Sequence, residues 1–168
     1  MATVATARGS PRADTPVGSD TPAPERILGA VVSYSSDVSQ VRPQQLEGFF
    51  VGWPSAPSPE QHLVVLRGSW RAVVAREDNG RVVGFVTMIS DGVLTAFVPW
   101  LEVLPSHQGG GIGTELLRRV LEGTEHLYSI DLLCDEPLQP FYRRFGFVPV
   151  PGMGLRNPTA LRRPPSGQ

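Results

Sequence analysis

The sequence contains no lysine: all 15 of its cationic residues are arginine, and they are scattered rather than run together. With a net charge of -1 at pH 7, the chain offers no broad positive field. Neither nucleic acid nor a membrane surface is therefore an expected partner. A single cysteine, Cys134, excludes an internal disulfide and fits a reducing compartment. Set in an apolar run, it reads as a buried structural residue rather than a nucleophile. No apolar run approaches the ~18 residues a bilayer-spanning helix needs. The first residues lack the basic-then-apolar order of a signal peptide, which makes a cytoplasmic location the expectation. No internal repeat is visible.

At 168 residues the chain suits one domain with tails. Residues 1–25 are rich in Ala, Thr, Pro, Ser and Asp and carry too little apolar surface to offset their ordering entropy. They read as a disordered leader. Residues 26–157 read as the domain, and 158–168 as a loose tail.

Within the domain, residues 27–36 read as a first strand and 42–50 as a short helix with Pro43 in its first turn. Phe49, Phe50 and Trp53 stand beside Gly52 and Pro54, a loop that either walls a pocket or packs over the core edge. Ser58 and Pro59 open a helix that runs to Gly68. Residues 70–76 and 81–90 read as strands joined at Asp78-Asn79-Gly80, because Asn-Gly supplies the positive φ angles of a tight turn. A fourth strand, 93–104, is apolar on both faces and therefore central. Two residues depart from it. Pro99 has no donor for the ladder and predicts a bulge or a break. Glu102 is a carboxylate inside an apolar run, rare without a partner or a purpose. Residues 114–122 form an amphipathic helix with Leu116, Leu117, Val120 and Leu121 on one stripe. A fifth strand, 127–134, follows a helical crossover and should run parallel to the fourth. A short helix spans 138–145, and 147–150 begin another strand.

Between the fourth strand and its following helix lies Gln108-Gly109-Gly110-Gly111-Ile112-Gly113. Strand, glycine loop, helix is a layout that turns free amides and a helix N-terminus toward an anion. A Walker-type loop would need a lysine after the last glycine, and the chain has none. A dinucleotide fingerprint fails on spacing, since its third glycine would fall on Thr114 or Leu116. A third pattern, Gln/Arg-x-x-Gly-x-Gly/Ala, fits without a gap.

That third pattern resembles the pyrophosphate loop of the GCN5-related N-acetyltransferase (GNAT) superfamily. Two further segments lie in register with it. Leu101-Glu102-Val103-Leu104-Pro105 is similar to the strand before the loop, and Phe141-Tyr142-Arg143-Arg144-Phe145-Gly146-Phe147 to the element after the fifth strand. The resemblance covers residues 27–150. It implies an α/β (α+β) fold of one domain: a mixed, mostly antiparallel central sheet flanked by helices and splayed between strands four and five. It also implies acetyl-CoA as cosubstrate, no metal, and direct attack of an amine on the thioester.

On this resemblance Leu101 and Val103 would offer main-chain groups to the pantetheine arm. Gln108 and the amides of Gly109, Gly110, Gly111, Ile112, Gly113 and Thr114 would hold the pyrophosphate, with Arg118 or Arg119 as added cations. Tyr142 matches the acid that protonates the departing thiolate; its phenol, with an ordinary pKa of about 10, is a donor at neutral pH. Glu102 is the expected base or acceptor contact, with a buried structural ion pair as its other reading. Asp91 reads as turn chemistry, and His107 as exposed. Asp135 stands where many members have asparagine, and an ionised carboxylate there cannot donate. The acceptor, a small-molecule or peptide amine, is unnamed by the sequence, and a homodimer stays open. A non-catalytic acyl-CoA-binding module shares the loop but has no use for Tyr142 and Glu102. A nucleotide-binding protein is disfavoured by the missing lysine.

Overall fold

The structure, a computed structural model, describes residues 32–53 and 55–157. The expected leader and tail, the start of the first predicted strand, and Pro54 lie outside the described residues. Five strands form one sheet in chain order: β1 (Ser33–Ser35), β2 (Arg71–Arg76), β3 (Val82–Ser90), β4 (Thr95–Val103) and β5 (Ser129–Asp131). Neighbours are antiparallel except β4 and β5, which are parallel. Three helices accompany it: α1 (Pro59–Gly68), α2 (Ile112–Leu121) and α3 (Gln139–Arg143).

Local chemistry accounts for most boundaries. Ser58 caps α1: its hydroxyl accepts from the Gln61 amide at 3.3 Å, while the Gln61 side chain accepts from the Ser58 amide at 2.8 Å. This reciprocal box with Pro59 at the first position is worth about 1 kcal/mol. Between β2 and β3, Gly80 takes φ 85 and the Asn79 side chain accepts from the Arg81 amide, as the tight turn requires. In α2, Leu116, Leu117 and Val120 are wholly buried, each contributing about 1.5–3 kcal/mol.

The two faces of the sheet are covered differently. A Cβ added to Gly84 would meet Leu116 and Ile112, so Gly84 faces α2. The next residue, Phe85, stacks on His62 of α1 at 4.2 Å between ring centroids. Successive strand residues point to opposite faces, so α1 and α2 lie on opposite sides of the sheet.

Four expectations are corrected. The helix over 42–50 is a single 3-10 turn, Pro43–Gln45; beyond it Gly48, Phe50 and Gly52 all take positive φ, which no helix accommodates. β5 is three residues rather than eight. No strand forms over 147–150, where Pro149 and Pro151 remove ladder donors. The last helix is shortened to Gln139–Arg143 behind a 3-10 turn, Glu136–Leu138.

The bulge predicted from Pro99 is present. Thr87 pairs with Trp100 and Ile89 with Phe97, so Val98 and Pro99 together oppose Met88. One extra residue on β4 reverses its alternation.

Candidate active site

β4 and β5 pair only at Thr95–Ser129, Ala96–Ile130 and Phe97–Asp131. Beyond Phe97, β4 runs on to Val103 while β5 has ended. Pairing of β4 with β5 therefore ends at the bulge, and the remainder of β4 toward the glycine loop has no strand on that side among the described residues. Which main-chain groups face this gap follows from the ladder. The Leu104 amide donates to Val83 O at 2.9 Å. By antiparallel alternation, Glu102 and Trp100 also exchange bonds with β3, whereas Leu101 and Val103 turn their amides and carbonyls away from it, into the gap. One of these groups is already engaged: Gln108 donates through Nε2 to Val103 O at 2.9 Å. Gln108 thus ties the loop to the end of β4, and the Val103 amide is left toward the gap.

Gly109 and Gly111 take φ 80 and 85, a conformation that side chains resist. The first intrahelical bond of α2 runs from the Glu115 amide to Gly111 O. The amides of Ile112, Gly113 and Thr114 therefore have no carbonyl four residues back to bond. Gly110 is the informative position: its φ is not positive, and an added Cβ would come no nearer than 3.8 Å to any atom, His107 O. Neither backbone nor packing demands glycine there, whereas close approach of a ligand would. Arg118 and Arg119 both bond Glu115, at 2.8 and 2.6 Å, and hold its carboxyl down to about 2.

Tyr142, on α3, is 2 % exposed, and its hydroxyl has no hydrogen-bond partner among the described residues. Burial first, and then the neighbouring Cys134 thiol, pushes its pKa well above the ordinary value. It stays a donor throughout the working pH range. A buried hydroxyl left unpaired costs about 1–3 kcal/mol. Cys134 is free and half-buried rather than fully buried.

Glu102 is 6 % exposed and lies on the α1 face, opposite Leu101 and Val103. Among the described residues no arginine pairs with it. The Phe50 amide donates to Oε1 at 2.7 Å. Burial raises its pKa to about 7, against the pull of the Phe50 and Val51 amides. Phe50 achieves this at φ 60, a left-handed conformation costing a bulky residue about 1–2 kcal/mol. The loop of aromatics divides its roles. Phe49 and Phe50 belong to the core. Trp53 and Trp100 are half-buried, and with Phe50 form a contiguous wall, ring centroids 5.3 to 5.8 Å apart.

Three other residues find places the sequence did not suggest. His62 is 1 % exposed among Phe49, Phe50 and Phe85. Burial pushes its imidazole down to about 4; the Leu46 carbonyl opposes this only weakly, since no hydrogen bond reaches either ring nitrogen. Nothing in its sequence neighbourhood marks it. His107, read as exposed, instead bonds Glu77 at 2.9 Å and Ser106 at 2.8 Å, bracing the start of the glycine loop against the β2–β3 turn. Asp135 is exposed and precedes the 3-10 turn Glu136–Leu138 without a side-chain cap bond. Asp91 is turn chemistry as expected: Oδ1 accepts from the amides of Val93, Leu94 and Thr95.

A cavity of about 590 Å³ lies against the outer edge of β5, between Leu127–Cys134 and residues 145–150. Tyr142 also lines it, while no residue of β4 or of the glycine loop does. Among the described residues no helix is long and apolar enough to cross a membrane, and no group of three His, Cys, Asp or Glu could hold a metal ion.

Comparison with known proteins gives a consistent result. A sequence model of the acetyltransferase (GNAT) domain matches residues 68–149. GCN5-related N-acetyltransferase 3, chloroplastic, from Arabidopsis thaliana is 40% identical over 78 residues, 45% of this chain and 33% of that protein. Its relative GCN5-related N-acetyltransferase 1, chloroplastic, is 28% identical over 123 residues, 71% of this chain and 62% of that one. The chain thus spans one to two thirds of the length of these curated relatives. Among solved structures, a protein from Deinococcus radiodurans R1 provisionally named an acetyltransferase is 40% identical, with a TM-score of 0.77 over 80% of this chain and 94% of that one. A GNAT family acetyltransferase from Streptococcus pneumoniae TIGR4 is 27% identical, with a TM-score of 0.63 over 76% and 98%.

Proposed function

Because the chain belongs to the GCN5-related N-acetyltransferase superfamily, we propose that it transfers the acetyl group of acetyl-CoA to an amine by direct attack on the thioester. The observation that carries this reading is the β4–β5 gap, open from the bulge to a glycine loop whose amides are unengaged. An arm that bonds main chain along β4 needs such a gap, and a pyrophosphate needs such a loop.

The chain's own groups supply the chemistry acetyl transfer needs. The amides of Gly109 to Thr114 hold the pyrophosphate. Leu101 and Val103 offer main-chain groups to the arm, and the Leu101 amide is placed to donate to the oxyanion that forms on attack. Tyr142 gives its proton to the departing thiolate, which satisfies a hydroxyl otherwise unpaired. Glu102 accepts the proton of the incoming ammonium, through water where its aromatic cover keeps the amine at a distance. A carboxyl titrating near 7 is well matched to that task at neutral pH.

The test is thermal shift with acetyl-CoA against ATP and NAD, followed by thiol release over a panel of amines. Stabilisation by acetyl-CoA alone, with thiol release, is expected. No stabilisation by CoA species would remove the proposal; stabilisation without turnover of any amine would leave a non-catalytic acyl-CoA-binding module.

A further inference from the structure

We propose that Cys134 is a site of reversible thiol–disulfide exchange with CoA disulfide, by which a CoA half seated in the β4–β5 gap becomes bonded to the protein and blocks it. This rests on the acetyl-transfer reading above.

Cys134 is the single cysteine of the chain, so a disulfide at this position joins the chain to another molecule. It lies three residues past the last β4–β5 rung, Phe97–Asp131, on the β5 side of the gap. The fold leaves it half-buried rather than sealed in the core, and it lines the cavity of about 590 Å³ together with Tyr142. Tyr142 is 2% exposed, its hydroxyl has no hydrogen-bond partner among the described residues, and the Cys134 thiol is its neighbour. The helix that carries Tyr142 also reaches the glycine loop. A Cβ on Gly113 would lie 3.6 Å from Val103 and 3.8 Å from the Phe141 ring. Acetyl transfer puts the sulfur of CoA beside the Tyr142 hydroxyl, its proton donor. One buried hydroxyl then neighbours two sulfurs, that of the arm and that of Cys134.

The step is an exchange in which one disulfide is consumed and one is formed. The Cys134 thiolate attacks one sulfur of CoA disulfide, and a bond forms between the protein and that CoA half. The bond between the two CoA halves breaks, and its electron pair leaves with the second CoA, which takes up the proton that Cys134 gave up. CoA disulfide is the oxidant, and no other reagent is needed. Burial first, and then the Asp135 carboxylate, push the thiol above its ordinary pKa. Little thiolate stands ready at neutral pH, and a disulfide that meets Cys134 by chance reacts slowly. A disulfide bound through the glycine loop is instead held beside the thiol, and the exchange becomes effectively intramolecular. Selectivity comes from the CoA moiety and not from the reactivity of the cysteine itself. Once joined, the CoA half occupies the place of acetyl-CoA until a free thiol removes it.

The experiment incubates the full chain with CoA disulfide or with oxidised glutathione, and reads intact mass and the thermal shift given by acetyl-CoA. The wild type should gain one CoA, lose its stabilisation by acetyl-CoA, and regain it on treatment with dithiothreitol. CoA disulfide should react at least about tenfold faster than oxidised glutathione, and saturating acetyl-CoA should slow it by a similar factor. The rate should rise with pH as the thiolate forms. Cys134→Ser should gain no CoA and keep its stabilisation by acetyl-CoA after treatment. Equal rates for the two disulfides, or an exchange that acetyl-CoA does not slow, overturns the assignment. So does an adduct that acetyl-CoA still stabilises, or the absence of an adduct on a chain that binds acetyl-CoA. A chain that acetyl-CoA never stabilises would instead remove the underlying reading.

Discussion

Replacing Tyr142 by phenylalanine should make this protein more stable and less active at once. The hydroxyl is buried and unpaired in the free chain, so it carries a desolvation cost of about 1–3 kcal/mol with no bond in return. Phenylalanine keeps the ring and its edge contacts to Phe141 and Phe147. The variant should gain about 1 kcal/mol, or roughly 3 °C in Tm for a domain of this size. Turnover should fall about a hundredfold, the low end for loss of a general acid, while acetyl-CoA binding changes little. The two effects are linked. Saturating acetyl-CoA gives the wild-type hydroxyl a partner, so the Tm advantage of the variant should narrow as the ligand is added. Differential scanning fluorimetry with and without acetyl-CoA, beside a thiol-release assay, reads all three quantities. A lower Tm for Tyr142→Phe in the free protein would mean that the hydroxyl is already bonded, and the reasoning would fail. Unchanged turnover would reduce Tyr142 to packing.

Glu102 titrates near 7 in the fold against an ordinary 4.5, so the folded state holds the proton more tightly. The stability this contributes is full below pH 4.5 and is lost as pH rises through 7, on the order of 3 kcal/mol. Glu102→Gln should flatten that slope in urea titrations at pH 4.5 and 8, and should remove a rate limb centred near pH 7; a limb that persists would assign the base elsewhere. Gly110→Ala should shift stability by less than about 0.5 kcal/mol yet weaken acetyl-CoA binding tenfold or more by calorimetry. Gly111→Ala, at φ 85, should instead cost about 1 kcal/mol in the free protein. His107→Ala frees the loop from Glu77 and should raise KM for acetyl-CoA several-fold at constant kcat; a fall in kcat alone would place His107 at the reaction.

What the sequence made legible was local. The Ser58 cap, the Asn79-Gly80 turn, the α2 stripe and the glycine loop each depend on residues within one or two turns of chain, and each is where the pattern put it. Distant partners were not legible. Glu102 meets the Phe50 amide across 52 residues, and His107 meets Glu77 across 30. No periodicity encodes such meetings. His62 on α1 reads as one more helical polar residue, and only the packing of Phe85 against it reveals a buried imidazole. Strand ends were missed for a related reason. An apolar run states that a segment is buried, not that its edge has a partner, so 127–134 read as a long strand although only Ser129–Asp131 pair. The failure over 147–150 was avoidable, since Pro149 and Pro151 state the missing donors outright.

Pro99 shows how a local signal can have a consequence that only the register discloses. Before the bulge, Thr95 and Phe97 direct their main-chain bonds to β3; after it, Trp100, Glu102 and Leu104 do. With no extra residue, Leu101 and Val103 would bond β3, and Trp100 and Glu102 would face the gap in their place. The Leu101 and Val103 side chains would turn to the α1 face, and Glu102 would be driven among Ile112, Leu116 and Val120, where no amide awaits it. The single inserted residue therefore does two things together. It turns the amides of Leu101 and Val103 toward the opening, and it brings the carboxylate of Glu102 under Phe50. On the proposed function, arm binding and proton acceptance are for that reason not separable properties of β4. A deletion that removes the bulge should lose both at once, whereas Pro99→Ala, which keeps the residue count, should retain them.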